Sequence, residues 1–234
     1  MAFLESVLDF FYPRRCFYCQ QSLKNVASGY ICPKCFQQFV FNNTACCTCC
    51  GRALGAVQPT ICPNCLELKP SFRQGVSLFA YNPIGRQFIH TLKYHNGVYL
   101  VKDLLKMLKK EQDRVMTLND AYFVPVPLHF LRKWKRGFNQ SFFIAKALRQ
   151  ICQGEILDIL KRKKNTPSQT SLTRKERKLN VLGAFTSNVK VLDPNKKYVL
   201  VDDVFTTGVT LNECAKVLCE KGALDVRVFT LAHG

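Results

Sequence analysis

Two adjacent carboxylates, Asp202 and Asp203, close the apolar run Tyr198-Val199-Leu200-Val201 and lead directly into Val204, Phe205, Thr206, Thr207, Gly208, Val209 and Thr210. The run is β-branched and apolar, as a buried parallel strand should be. The acids then stand at its carboxyl end, where open α/β sheets bind their ligands. Thr206, Thr207, Gly208 and Thr210 predict a turn whose N–H groups and hydroxyls face an anion. The helix expected from Val209 adds its partial positive charge. Carboxylates beside an anion cradle make chemical sense for a sugar phosphate, because the acids accept hydrogen bonds from ribose hydroxyls while the turn holds the phosphate. An acidic turn between a strand and a helix is the plainer alternative. A doubled Asp ahead of Thr-Thr-Gly-x-Thr is far more specific than a lone glycine motif. No Gly-Lys-Ser/Thr of the P-loop type occurs, which argues against a nucleoside triphosphatase.

A second chemistry lies near the amino terminus, where ten of the 13 cysteines fall between positions 16 and 65. They form Cys16-x2-Cys19, Cys32-x2-Cys35, Cys47-x2-Cys50 and Cys62-x2-Cys65, with Cys46 and Cys49 in addition. Twelve residues separate the first two pairs and eleven the last two, an internal repeat of zinc-ribbon spacing. Each Cys-x-x-Cys turn aims two thiolates at one point, and two turns complete a tetrahedral site. No His occurs in the region, so the ligands are thiolates. Iron–sulfur binding uses similar donors, but the regular paired spacing favours structural Zn²⁺. The spacing leaves open whether the pairs join sequentially or interleave. It also leaves open which of Cys46/Cys47 and Cys49/Cys50 bind. Cys47 and Cys50 are preferred because Gly51 eases the turn after the second ligand. So small a module buries little core, and metal would supply its folding energy.

These groups need elements to position them. The chain has 234 residues, enough for one α/β domain and a small extra module. Lys69-Pro70-Ser71-Phe72 is the expected boundary, giving an N-terminal helix and cysteine module over 1–70 and a larger domain over 71–234. Strands are predicted at Val76–Tyr81, Ala121–Val126, Val199–Val201 and Val226–Leu231, with a short one at Ile156–Leu160. Helices are predicted from Pro83 through Tyr94, from about Val98 to Gln112, from Asn139 to Gln150, and from Val209 to Lys221 with Gly222 as C-cap. Strands alternating with helices predict a parallel sheet with helices on both faces. Residues 161–180 read as a mobile polar loop. Residues 1–13 read as an amphipathic helix stopped at Pro13 rather than a signal peptide, since they carry two acids and no basic start. No stretch is apolar enough to span a bilayer, and a cytoplasmic protein without integral membrane association is expected.

The formal net charge is +18. Residues 1–70 hold 6 Lys/Arg against 3 Asp/Glu and the remainder 28 against 13, so the basicity belongs to the larger domain. Such a field favours polyanions. Arg132-Lys133-Trp134-Lys135-Arg136 mixes cations with an aromatic ring, as single-strand binding surfaces do. Lys161, Arg162, Lys163, Lys164, Arg174, Lys175, Arg177 and Lys178 form a run that suits a lid over a polyanion.

The Asp202–Thr210 stretch resembles the signature of the type I phosphoribosyltransferases, which bind phosphoribosyl pyrophosphate (PRPP). Together with the cysteine pairs and Cys50-Gly51, further residues carry a closer likeness. They are Leu92-Lys93-Tyr94, Pro125-Val126-Pro127-Leu128, Arg136-Gly137-Phe138-Asn139-Gln140, Arg162, Thr166, Gln169, Leu172, Glu176-Arg177, Asn180 and Ala184-Phe185. Over nearly its whole length the chain resembles the ComF (ComFC/GntX) family. Its departures are the doubled cysteines at 46–50 and an unusually basic loop. The resemblance implies a four-Cys-x-x-Cys zinc module joined to a phosphoribosyltransferase-like domain, and the handling of single-stranded DNA during natural transformation. A ComFA-like helicase or a recombination mediator is the implied partner. It further implies Mg²⁺–PRPP with its 5′-phosphate on residues 206–210, Val204 and Phe205 also belonging to the PRPP-binding stretch, and its ribose hydroxyls on Asp202 and Asp203, the candidate catalytic pair. Pyrophosphate would face Val126, Pro127, Leu128, Lys93 and Arg136. An active phosphoribosyltransferase with an unidentified acceptor is the alternative to a binding protein, and no residue is an evident general base.

Overall fold

A computed structural model describes residues 14–24, 26, 28–42, 45–55, 60–94, 97–128, 134, 137–163 and 181–234. The expected N-terminal helix falls outside these residues. The two halves of the cysteine region contain short helices α1 (Pro33–Phe36) and α2 (Pro63–Leu68). The remainder runs β1 (Gln74–Ala80), α3 (Pro83–Tyr94), α4 (Val101–Lys110), α5 (Gln112–Val115), β2 (Ala121–Pro125), α6 (Gln140–Ile151) and β3 (Gly154–Ile156). It continues through β4 (Leu160–Arg162), β5 (Phe185–Ser187), β6 (Lys197–Phe205), α7 (Val209–Glu220) and β7 (Asp225–His233).

Five strands form one parallel sheet in the order β1-β7-β6-β2-β3. Each central strand is buried on both faces, which is why Val199-Leu200-Val201 is apolar without alternation. Val199, Val201 and Phe123 pack with Ile144, Ala147 and Leu148 of α6 and with α3 and α4 on one face. Leu200, Tyr198 and Val124 pack with Leu211, Cys214 and Leu218 of α7 on the other. The chain leaves β2 through α6 for β3 on one side, and leaves β6 through α7 for β7 on the other side. The strand order therefore reverses between β2 and β6, and the crevice above that reversal is where doubly wound sheets bind ligands.

The helix ends follow local chemistry. The Asn139 side chain accepts from the Ser141 N–H at 3.1 Å to cap α6. Gly222, at φ +102°, ends α7 in a Schellman motif, with Gly222 N–H on Cys219 O and Ala223 N–H on Leu218 O.

Three expectations need correction. Ile156–Leu160 is not one strand: β3 ends at Ile156 as the sheet's edge, and β4 starts at Leu160 in a separate antiparallel pair with β5. Lys161 and Arg162 therefore belong to a strand rather than to a loop. The helix expected over 98–112 opens as a 3-10 turn at Gly97–Leu100 and breaks at Glu111.

The two cysteine units lie on opposite faces of the sheet. Cys16, Cys32 and Cys35 join the core beneath α3 and α4, while Cys47, Cys50, Cys62 and Cys65 join the core beneath α7. The segment between the units runs along the outer edge of β1. Asn42 N–H reaches Leu78 O at 3.1 Å and Ala80 N–H reaches Val40 O at 2.8 Å. This covers an edge that would otherwise present unpaired backbone groups.

Candidate functional site

The strand β6 runs through both aspartates to Phe205, so Asp202 and Asp203 are strand residues and not part of the turn. The alternation of faces slips at this pair. Val201 and Val204 pack on one face and Leu200 and Phe205 on the other, whereas a strict period of two would put Val201 with Phe205. Such a slip re-aims side chains, as bulges do.

Asp203 is buried and pairs with Lys93 of α3 at 2.7 Å. Asp202 is half-buried; its Oδ1 accepts from Ser141 Oγ at 3.2 Å and from the Asp203 N–H at 2.9 Å. Ser141 is fully buried, at the start of α6. Asn139 ties that helix start to the loop after β2, donating from Nδ2 to Val126 O at 3.0 Å, while Val126 N–H reaches Val201 O at 2.9 Å. Residues on both sides of the strand reversal are thus fastened to one another around the carboxylates. Val126 and Pro127 are buried and Leu128 half-buried.

Burial first, and the Asp203 charge second, push the Asp202 pKa up to about 7, against the Asp203 N–H, Lys93 and the Ser141 hydroxyl. A carboxyl near 3.8 when unfolded and near 7 when folded holds its proton only in the folded state between those values. The stability this group contributes is complete below about pH 4 and is lost as pH rises to 7. Asp202→Asn is expected to abolish that slope and to stabilise the unliganded protein at pH 8 by on the order of 2 kcal/mol, with little effect at pH 4. Denaturant titrations of both proteins across that range check it.

The turn beyond β6 is Thr206-Thr207-Gly208, and α7 starts at Val209 with no acid in its first turn. Gly208 holds φ +75°, and a Cβ there would meet Phe205 Cζ at 2.3 Å and Leu68 Cδ2 at 2.8 Å, so only glycine fits. The turn rests on the second cysteine unit. Leu68 of α2 abuts Gly208, Asn64 Nδ2 donates to Thr207 O at 3.4 Å, and Ser71 N–H donates to Asn212 Oδ1 at 2.7 Å. His233 stacks on Phe205 at 4.9 Å. Ser141, Asn64 and Leu68 were not singled out as site residues by the sequence, since each acts through contacts across long chain separations.

The cysteines pair sequentially. Cys16, Cys19, Cys32 and Cys35 converge, and so do Cys47, Cys50, Cys62 and Cys65, each set with its sulfurs within 4.8 Å of one another. Cys46 stands apart, its thiol on Asn42 O at 3.3 Å. Cys19–Cys32 and Cys50–Cys62 each stand 3.7 Å apart between sulfurs. A tetrahedron with Zn–S near 2.3 Å has edges of about 3.8 Å, so the donor set fits zinc. The two units repeat in detail. Cys16 N–H on Gln21 O matches Cys47 N–H on Arg52 O, and Gln20 N–H on Cys16 O matches Gly51 N–H on Cys47 O. Gln20 and Gly51 share a positive φ, of 62° and 71°. At Gly51 a side chain is also excluded by Ser77 N, 2.4 Å from a Cβ.

Residues 7–66 match the family model for a double zinc ribbon domain. "Competence protein F" of Haemophilus influenzae is 31% identical over 230 residues, covering 95% of this chain and 98% of that protein. The chain belongs to the ComF family. Other family members are "DNA utilization protein YhgH" of Escherichia coli K12, 32% identical over 94% of this chain and 97% of its own, and "Competence protein ComFC" of Streptococcus pneumoniae, 29% identical over 94% and 100%. In this chain the double ribbon offers two four-cysteine sites that fit structural zinc.

Of the basic residues expected on the surface, Lys161 and Lys163 are exposed, and Arg162 is half-buried over the Phe185 ring at 5.3 Å. Trp134 is 86% exposed. Arg132, Lys133, Lys135, Arg136, Lys164, Arg174, Lys175, Arg177 and Lys178 lie outside the described residues. No helix among the described residues is long and apolar enough to cross a membrane.

Proposed function

We propose that this protein binds and handles single-stranded DNA during natural transformation, in the cytoplasm, and that its sheet carries a PRPP-type phosphoribosyl pocket. The observation that carries the pocket is the meeting, at the strand reversal, of Asp202 and Asp203 with a glycine-constrained turn at a helix amino terminus. The carboxylates accept from the ribose hydroxyls, and the N–H groups and hydroxyls of residues 206–210 hold the 5′-phosphate. The loop Val126-Pro127-Leu128, with Lys93 and Arg136, faces the pyrophosphate or the next phosphate of a strand. Lys93 gives the site a cation beside Asp203. The DNA role is supported by the relatives named for competence and for DNA utilization. It is supported also by the +18 charge, with the Arg132–Arg136 segment and the Lys161–Lys178 run as the polyanion surface. A ComFA-like helicase or a recombination mediator would take the strand onward.

A second reading, a Mg²⁺-dependent phosphoribosyltransferase, is favoured by Asp202 itself. A carboxyl whose pKa is raised to about 7 gives up its proton readily, and its carboxylate would then face the positive charge that develops on the ribose as pyrophosphate leaves. In that reading the metal would share the ribose hydroxyls with Asp202 and Asp203, and it would neutralise the departing pyrophosphate.

The DNA reading predicts a steep loss of affinity with salt. If six to ten phosphates are neutralised, binding of a single-stranded oligonucleotide should fall by roughly 100-fold or more between 50 and 200 mM salt. Fluorescence anisotropy measures this, and a flat response would sink the electrostatic account.

A further inference from the structure

Next to the sugar-phosphate turn lies a second concavity, of about 640 Å³, lined by Tyr18, Tyr81, Arg86 and His90 among others. One end adjoins the turn. Tyr81 follows β1 at the carboxyl end of the sheet and its N–H donates to His233 O at 3.2 Å. Gly234 sits between the two sites: a Cβ on it would lie 3.8 Å from the Thr206 methyl and 4.0 Å from Tyr81 Cγ. The other end is formed by Tyr18, at the tip of the first zinc knuckle between Cys16 and Cys19. Its neighbour Phe17 anchors that tip edge-on against Phe88 of α3 at 5.8 Å.

Between these ends, Arg86, His90 and Lys93 follow one another along one stripe of α3, and Lys93 is the residue that reaches Asp203. Arg86 has no carboxylate partner among the described residues. Tyr18, Tyr81 and Tyr94 are 36%, 42% and 60% exposed, and the Tyr94 ring lies 4.9 Å from His90. Aromatic faces held in the open beside cations are the means by which proteins bind single strands without reading sequence. A positively charged protein selects the polyanionic occupant.

We propose that this groove is the track along which single-stranded DNA reaches the sugar-phosphate turn, with bases stacked on Tyr18 and Tyr81 and a backbone phosphate on Arg86. The proposal rests on the single-strand reading above. It gives the first zinc ribbon a task, which is to hold Tyr18 at the groove's mouth.

The test is anisotropy of a labelled dT oligonucleotide with the full-length zinc-loaded protein. Tyr18→Ala and Tyr81→Ala are each expected to weaken binding by about tenfold, with Phe at either position restoring it, because the ring face and not the hydroxyl stacks. Arg86→Ala is expected to reduce the salt slope by about one. All three side chains face solvent, so thermal melts should match the wild type. PRPP titration of Tyr18→Ala and Arg86→Ala should also match it. Oligonucleotides carrying 5-iododeoxyuridine should crosslink to Tyr18 or Tyr81. If the wild type holds dT and the alanine variants hold it equally, the groove is overturned while the single-strand reading stands. If the wild type does not hold dT, both fall. If free dTMP displaces a dT strand at equal concentration, the groove takes a mononucleotide and the track is overturned.

Discussion

Cys62→Ser is expected to remove one of two zinc ions per chain and to loosen the Thr206–Gly208 turn, about 140 residues further along the chain. A structural zinc site contributes about 10–16 kcal/mol to the folding of small zinc peptides, comparable to the whole stability of a domain. Here the second cluster sits in the same core as Phe205, Leu211 and Cys214. Its helix α2 also supplies Asn64 and Leu68 to Thr207 and Gly208. The loss therefore spreads into the turn. Cys32→Ser is the contrasting variant, because the first cluster packs beneath α3 and α4 on the opposite face. Zinc analysis with hydrogen exchange over residues 205–211 measures the difference. Exchange there should rise by orders of magnitude in Cys62→Ser and much less in Cys32→Ser. Equal protection in both would show that the second ribbon does not support the turn.

Lys93→Met has the next largest expected effect. The Asp203 side chain is only 7% exposed and its countercharge stands 2.7 Å away. Removing one member of a buried pair leaves a charge without compensation, at a cost of about 3–5 kcal/mol. The lower end is expected here, because Lys93 keeps 24% of its side chain in solvent. Adding Asp203→Asn should restore most of that loss, since no charge then remains to be compensated. Chemical denaturation of the two single variants and the double variant measures the coupling. Additive losses would show that the pair does not stabilise the fold.

Much of this molecule could be read from local patterns. Zinc-ribbon spacing, the Val199–Val201 run, Asn139 before a helix and Gly222 after one each act within a few residues, and each element appears where it was expected. The parallel sheet with helices on both faces followed from their alternation. What the sequence hid depends on contacts between distant residues. Nothing in Cys-x-x-Cys spacing says that the two ribbons lie on opposite faces of one sheet. Ser141 looks like any helix residue until α6 is placed beside β6. The pair β4–β5 consists of three-residue strands, Leu160–Arg162 and Phe185–Ser187, too short to show a period, so β3 and β4 merged into one expected strand. The slip in alternation at Asp202-Asp203 is equally invisible, because burial on both faces makes neighbouring positions look alike. The carboxylates stand at the carboxyl end of β6, the position their place after the apolar run predicted. Lys93 was expected opposite the pyrophosphate, and its ion pair with Asp203 emerged only from the fold.

The two ribbons also divide the surroundings of the site. The second ribbon backs the Thr206–Gly208 turn from beneath α7, and the first carries Tyr18 over α3, whose Lys93 reaches Asp203 from the other face. The two cysteine clusters and the proposed phosphoribosyl pocket are thus parts of one arrangement around the carboxyl end of the sheet.

The central claim is that the pocket at Asp202 and Asp203 is used in DNA handling. The most direct measurement is the transformation frequency of a naturally competent host whose only copy carries Asp202→Ala and Asp203→Ala, with zinc content and melting temperature checked on the purified variant. The account predicts that transformation falls by orders of magnitude while both zinc ions and the fold remain. Wild-type transformation from a variant that no longer binds PRPP would contradict it.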